Sequence, residues 1–298
     1  MLGTKEIKRR IRSVVSIQQI TRAMEMIAVS RLKRAEERLR SARPYAEKIQ
    51  ELMESLAPSL PKIDHPLLAK REVRRIGLVL ITSDKGLCGG YNANVIAHAT
   101  RFIEEHKSQE ISLILVGRKG HDFFRRRTYP IDHTLLQLSK EISLQEVKEI
   151  CGVVTKGFEE KRYDEVDLIY TRYQSAMVTR PTTLRLLPLE SSEILTKGPS
   201  SKGEPLFEPS AEEIMAFLLP KYLEAQVYKG LVESVASEQG ARMVSMKSAT
   251  DNAEEMISTL TLRYNKARQA SITKEILEVT TGAEALKFAR ERKESKEV

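Results

Sequence analysis

The sequence has no tryptophan, and aromatic residues make up only 5% of it. That is little for 298 residues built around one large compact core. Cysteine is equally scarce. Cys88 and Cys151 stand far apart, which excludes a disulfide scaffold or a cysteine zinc site and fits a reducing compartment. The five histidines show no metal-ligand spacing. No apolar run reaches the ~18 residues of a membrane-spanning helix, and the N-terminus lacks the apolar stretch of a signal peptide. Neither glycine nor proline occurs between Gly240 and Gly282. Either residue costs stability in a helix interior, so their absence favours an unbroken helix.

That helix is expected over 208–288. Pro209 precedes Ser210, and Glu213 follows three residues later, which has the form of a capping box. At 1.5 Å per residue such a helix is roughly 115 Å long, more than a domain of this size spans. It therefore projects and needs a partner.

A second long helix is expected over 1–57. Ile7, Ile11, Val14, Ile17, Ile20, Met24 and Ile27 recur at helical spacing. Ala35, Leu39, Ala42, Ala46, Ile49, Met53 and Leu56 continue the pattern after a slip near 28–32. The seam keeps its phase across Pro44, which favours one bent helix over two. Residues 1–43 hold twelve Lys or Arg against four Glu, a net +8, equal to the net charge of the chain. This permits a nucleic-acid arm, a solvated helix face or a basic shaft inside an acidic protein. Stacking aromatics are missing before Tyr45, which argues against nucleic acid.

Between the helices the periodicity changes. After a proline-containing linker at 58–72, apolar runs at 76–82, 111–116 and 166–173 read as buried parallel strands. Helices are expected at 92–105, 120–127 and 144–160, and a last antiparallel or edge strand at 184–189. Residues 133–138 are ambiguous. These elements make a small open α/β (Rossmann-like) domain over 73–190, with a second linker at 190–209. The fold class is thus α/β with long helices, an antiparallel coiled coil of the terminal helices plus this domain. If residue 57 stands level with 210, paired positions sum to about 267. Met24 then meets Met243, and the last helix is single from about 265.

The loop SDKGLCGGYN after the first strand suggests a dinucleotide site, but its glycines fit neither GxGxxG nor GxxxxGK[ST]. Arg118 and Lys119, rather than an acid, follow the second strand. A tight structural turn is the better reading, and a nucleotide- or NAD-binding enzyme remains the alternative. Cys88 has no base that the sequence places beside it, and no catalytic constellation occurs elsewhere. The single tip carries Ile272, Ile276, Leu277, Val279, Ala283 and Leu286 around much of its surface. Such an exposed apolar patch calls for a protein socket.

The stretch ITKEILEVTTGAEA at 272–285 resembles the signature of the gamma subunits of F-type rotary ATP synthases. KEIKRRIRSV, ITRAMEMIA, SARPYAE, SDKGLCGGYN, LEAQVYKG, SEQGARMVSMKSATDNA and YNKARQASITKE are similar to that family's other recurrent stretches, so the resemblance spans the whole chain. It implies a non-catalytic rotor without cofactor or metal, one copy per complex, whose rotation couples proton flow through a membrane ring to ATP synthesis or hydrolysis. Its partners would be a hexamer of alpha and beta subunits, an epsilon subunit and a membrane ring of c subunits, at the cytoplasmic face of the cell membrane. Carried over by position, Met24 and Arg242 face the mobile part of beta. Arg268, Gln269, Thr273, Glu275 and Glu278 belong to the upper contact and bearing. Arg43, Tyr45, Phe207 and Glu208 lie near the foot, against epsilon and the c ring. The linker at 191–208 lacks the cysteines of the light-regulated chloroplast members.

Overall fold

The computed structural model describes residues 4–56, 65–138, 142–189 and 211–294. Helix α1 runs from Thr4 to Leu56 as one helix with Pro44 inside it. A 3-10 turn at Pro66–Leu68 leads to β1 (Arg75–Ile81), α2 (Tyr91–Glu105), β2 (Glu110–Val116), α3 (Arg118–Phe124) and β3 (Ile131–Leu135). Then follow α4 (Leu144–Glu159), β4 (Glu165–Tyr173), β5 (Thr179–Leu187) and the 84-residue α5 (Ala211–Glu294), which continues through Pro220 and beyond Phe288. The expected start of α5 at Ser210, both linker cores and the end of the chain lie outside the described residues.

The five strands form one mixed sheet in the order β3-β2-β1-β4-β5. β1 pairs in parallel with β2 and β4, and β2 with β3, while β5 lies antiparallel on β4 at the edge. The ambiguous stretch near 133 is therefore a strand. The last strand begins at Thr179 rather than 184 and includes Pro181, which an edge strand tolerates because no neighbour needs its missing N–H.

Chain contacts divide the molecule into two compact units, residues 25–245 and residues up to 24 with those from 246. In the first unit the sheet has covered faces. Leu78 and Leu80 of β1 pack with Val95, Ala99 and Ile103 of α2 and with Phe124. The alternate residues Val79 and Ile81 join a core with Val154 and Phe158 of α4 and with Met215, Leu219, Leu223 and Val227 of α5. Ile49 and Met53 of α1 complete that core. Period-two alternation thus serves two helical layers, which explains why β1 reads as a continuous apolar run. Helix α4 starts on a capping box, Ser143 with Glu146. Nearby, Leu32 and Ala35 pack on Ala236, so the two long helices run antiparallel within this unit.

In the second unit α1 and α5 also pair antiparallel. The Thr250 hydroxyl donates to the Thr21 hydroxyl oxygen at 2.8 Å, and both residues are buried. These positions sum to 271, as do Ala35 and Ala236. The pairing is therefore displaced by one helical turn from the expected 267, and position 24 stands level with 247. The apolar seam of α1 also differs from expectation. Ile7, Thr21, Ala28, Leu32 and Ala35 are buried, whereas Ile17, Ile20 and Ile27 are exposed. On α5, Met246, Thr250 and Ala253 are buried while Met256 is exposed. Small residues at the contact let two helices approach closely, and this leaves the larger side chains outside it.

Candidate functional site

Three regions hold the expected contact residues. The first is the loop at 83–90, where the direction of strand order reverses about β1, the place where open α/β sheets bind ligands. Here the chain supplies its own anion. The Asp84 carboxylate accepts the backbone N–H groups of Arg118, Gln137 and Leu138 at 3.0–3.1 Å. A phosphate approaching these amides would meet a negative charge already seated on them. Thr82 Oγ1 donates to Val116 O at 3.0 Å and accepts Gly120 N–H at 2.9 Å, closing the turn further. The crossing is thus held by protein groups, and sequence reading missed Asp84 because its three partners come from distant turns.

Arg242 is buried beside this loop. Its Nη2 donates to Glu238 Oε1 at 2.7 Å, Gly86 O at 3.2 Å and Lys85 O at 3.4 Å. Burial pushes the Glu238 carboxyl above its ordinary range, and Arg242 works against that shift. Burial likewise raises the Cys88 thiol, which works against its thiolate form. Met24, on the other unit, is half-buried.

The second region is the upper part of α5. Every residue from 268 to 286 is exposed, including Arg268, Gln269, Thr273, Glu275 and Glu278. Their bonds are local. Thr273 donates to Gln269 O, Ser271 to Glu275, and Lys274 pairs with Glu278 at 3.5 Å. The apolar side chains among them stand open: Ile276 and Leu277 are each 60% exposed and Val279 73%. The structure brings these five polar residues together on one helical stretch with an apolar surface between them.

The third region is the lower part of α1. Arg43 pairs with Glu47 at 2.8 Å, both in solvent, and Tyr45 is 59% exposed. Phe207 and Glu208 lie outside the described residues. Among the described residues no group of His, Cys, Asp or Glu could hold a metal ion, and no helix is long and apolar enough to cross a membrane.

The family model described as ATP synthase matches residues 3–286. A protein of Heliobacterium modesticaldum named ATP synthase gamma chain is 48% identical over 96% of this chain and 100% of its own length. One of the same name from Desulfitobacterium hafniense is 46% identical with the same coverage. Among solved structures, a chain of the Tetrahymena thermophila mitochondrial ATP synthase central stalk and c ring is similar at a TM-score of 0.59 and 28% identity. It covers 77% of this chain and 99% of its own. A chain of the Euglena gracilis mitochondrial enzyme has the same fold, with a TM-score of 0.65 at 17% identity over 95% and 94% of the two chains.

Proposed function

The chain belongs to the ATP synthase gamma-chain family, and from that premise we propose that it works as the central-stalk rotor, without chemistry of its own. The observation that carries this reading is the bare end of α5. Nineteen consecutive exposed residues, with Ile272, Ile276, Leu277, Val279 and Leu286 among them, are unsuited to water and suited to a surrounding socket. An isolated helix of that length is marginal in water, so a sleeve also stabilises it.

In this proposal the shaft is 1–57 with 208–288, single from about 265, and the domain at 73–190 is the foot. A hexamer of alpha and beta subunits surrounds the shaft. Epsilon and the c ring meet the foot near Arg43, Tyr45, Phe207 and Glu208, on the cytoplasmic face of the cell membrane. A shaft biases a ring of sites only through contacts that differ with orientation, because equal affinity for all states shifts nothing. Exposed polar groups such as Arg268, Gln269, Thr273, Glu275 and Glu278 supply orientation-dependent contacts. The apolar tip supplies non-directional burial, which permits turning. Ion flow through the ring then drives ATP synthesis at sites on other chains.

Reconstitution with alpha and beta subunits tests this. The purified chain alone should hydrolyse no ATP, and its addition should convert the hexamer to fast multisite turnover. Hydrolysis by the chain unaided, or a hexamer indifferent to it, refutes the proposal. Calorimetry of the isolated chain with ATP, ADP and NAD should be flat; stoichiometric micromolar binding would instead favour the nucleotide-binding alternative.

A further inference from the structure

The resemblance gives Arg242 a direct contact with a partner subunit, but the side chain is spent within its own chain. Only 10% of it is exposed, and its Nη2 is shared among Glu238 and the carbonyls of Lys85 and Gly86. We propose that Arg242 is a positioning residue, which acts on coupling by holding the 83–90 loop in shape and not by touching a partner.

The loop needs such a clamp. Leu87 sits at φ 62°, a left-handed backbone that branched side chains rarely adopt, and its side chain is 60% exposed. Other anchors surround it. Ser83 Oγ donates to Lys85 O at 2.7 Å. Asn92 Nδ2 donates to Ser83 Oγ at 2.7 Å and to Cys88 Sγ at 3.2 Å, and Asn92 Oδ1 accepts Ser83 N–H at 3.1 Å. Gly89, at φ +54°, lies so close to α5 that a Cβ there would stand 2.6 Å from Ser245 Oγ. Ser83 and Asn92 tie the loop to the sheet and to α2; Arg242 is the charged tie to α5. Two carbonyls in succession turned toward one guanidinium fix the peptide planes on both sides of Gly86, directly before Leu87. A polar loop can hold a leucine outward on a disfavoured backbone only if the neighbouring peptides are fixed. The presented surface is therefore the crown of the loop, with Leu87 at its centre, and Arg242 works one step behind it.

The consequence for coupling rests on the rotor reading, but the clamp can be tested without it. In the isolated full-length chain, Arg242→Gln should speed amide exchange at residues 85–89 and alkylation of Cys88 at least tenfold, with helical content unchanged. Arg242→Lys should keep the charge and lose most of the protection, because one ammonium does not reproduce the planar fork. In the reconstituted complex, Asn92→Ala loosens the loop with Arg242 intact. It should lower ATP-driven ion pumping relative to hydrolysis, as Arg242→Gln does. Combining Arg242→Gln with Leu87→Ala should cost no more than the worse single change, the signature of two residues acting as one unit. The proposal is overturned if Arg242→Gln leaves the loop protected, if Arg242→Lys restores full coupling while the loop stays loose, or if the two losses multiply. It is also overturned if Asn92→Ala loosens the loop without affecting coupling. A wild-type chain that fails to activate the hexamer would instead count against the rotor reading, since loop exchange is measured on the chain alone.

Discussion

Replacing Thr21 and Thr250 by cysteine should lock the helix pair by a spontaneous disulfide. The two hydroxyl oxygens lie 2.8 Å apart, so the β-carbons already stand near the separation a disulfide requires. The native cysteines do not compete. Both are buried; burial raises the Cys88 thiol and pushes Cys151 up to about 12. The new bond closes a loop of about 230 residues, for which chain entropy predicts roughly 5 kcal/mol of stabilisation, the upper end of what disulfides deliver. The change removes the hydrogen bond between the hydroxyls and that from the Thr21 hydroxyl to Gln18 O, about 1 kcal/mol each. The net gain is about 3 kcal/mol. Non-reducing electrophoresis should show a fast-migrating monomer, and thermal unfolding of the oxidised chain should come on the order of 5–10 °C later than after reduction. Both cysteines belong to one rotating body, so the oxidised chain should still support full turnover of the complex. Absence of a bond between two reactive thiols would refute the pairing at 271. A bond that stops turnover until reduced would show that the helices must slide past each other.

Other perturbations test the foot and the tip. A Cβ on Gly157 would lie 2.2 Å from Cε2 of the buried Tyr163 ring, so Gly157→Ala should cost about 1–3 kcal/mol by overpacking, read from urea unfolding. An unchanged midpoint would mean the ring has room to retreat. Burial raises the Asp164 carboxyl, but the Arg75 guanidinium and the Arg74 and Arg75 amides outweigh it and hold the group below its ordinary value. Its folded pKa lies below the unfolded one, so its stabilisation is complete above about pH 4 and disappears as pH falls through the folded value. Asp164→Asn should therefore be about 1–2 kcal/mol less stable at pH 7, with the gap closing in acid; a pH-independent gap would count against this account. Ending the chain after Leu286 should leave coupled synthesis in the reconstituted complex nearly intact, because 287–298 is mostly charged and follows the apolar tip. A large loss of pumping would place a required contact there.

Much of the fold follows from local pattern. The strand β1 is continuous apolar sequence because two helical layers use its alternate residues, and the stretch of α5 from 241 to 281, which holds neither glycine nor proline, is unbroken helix. Such features need only near neighbours, so periodicity reveals them. The register of the helix pair does not. A shift of four residues keeps the same helix face toward the partner, and only contacts between residues far apart in sequence, Thr21 with Thr250 and Ala35 with Ala236, distinguish 271 from 267. The seam of α1 differs in part from its expectation for a related reason. Ile7, Ala35, Ile49 and Met53 are buried as the periodicity expects, but the small Thr21 and Ala28 are buried between them while Ile17, Ile20 and Ile27 stay outside.

The same distinction accounts for Arg242. Basic residues on a long helix are usually solvated, and sequence alone offers no reason to bury this one. Its burial goes with the 83–90 loop, whose Lys85 and Gly86 carbonyls face α5 and accept its guanidinium. Removing the guanidinium would strand those carbonyls and leave the Glu238 carboxylate without its nearest cation. The residue is thus required by the architecture first, and any effect on the complex passes through that requirement.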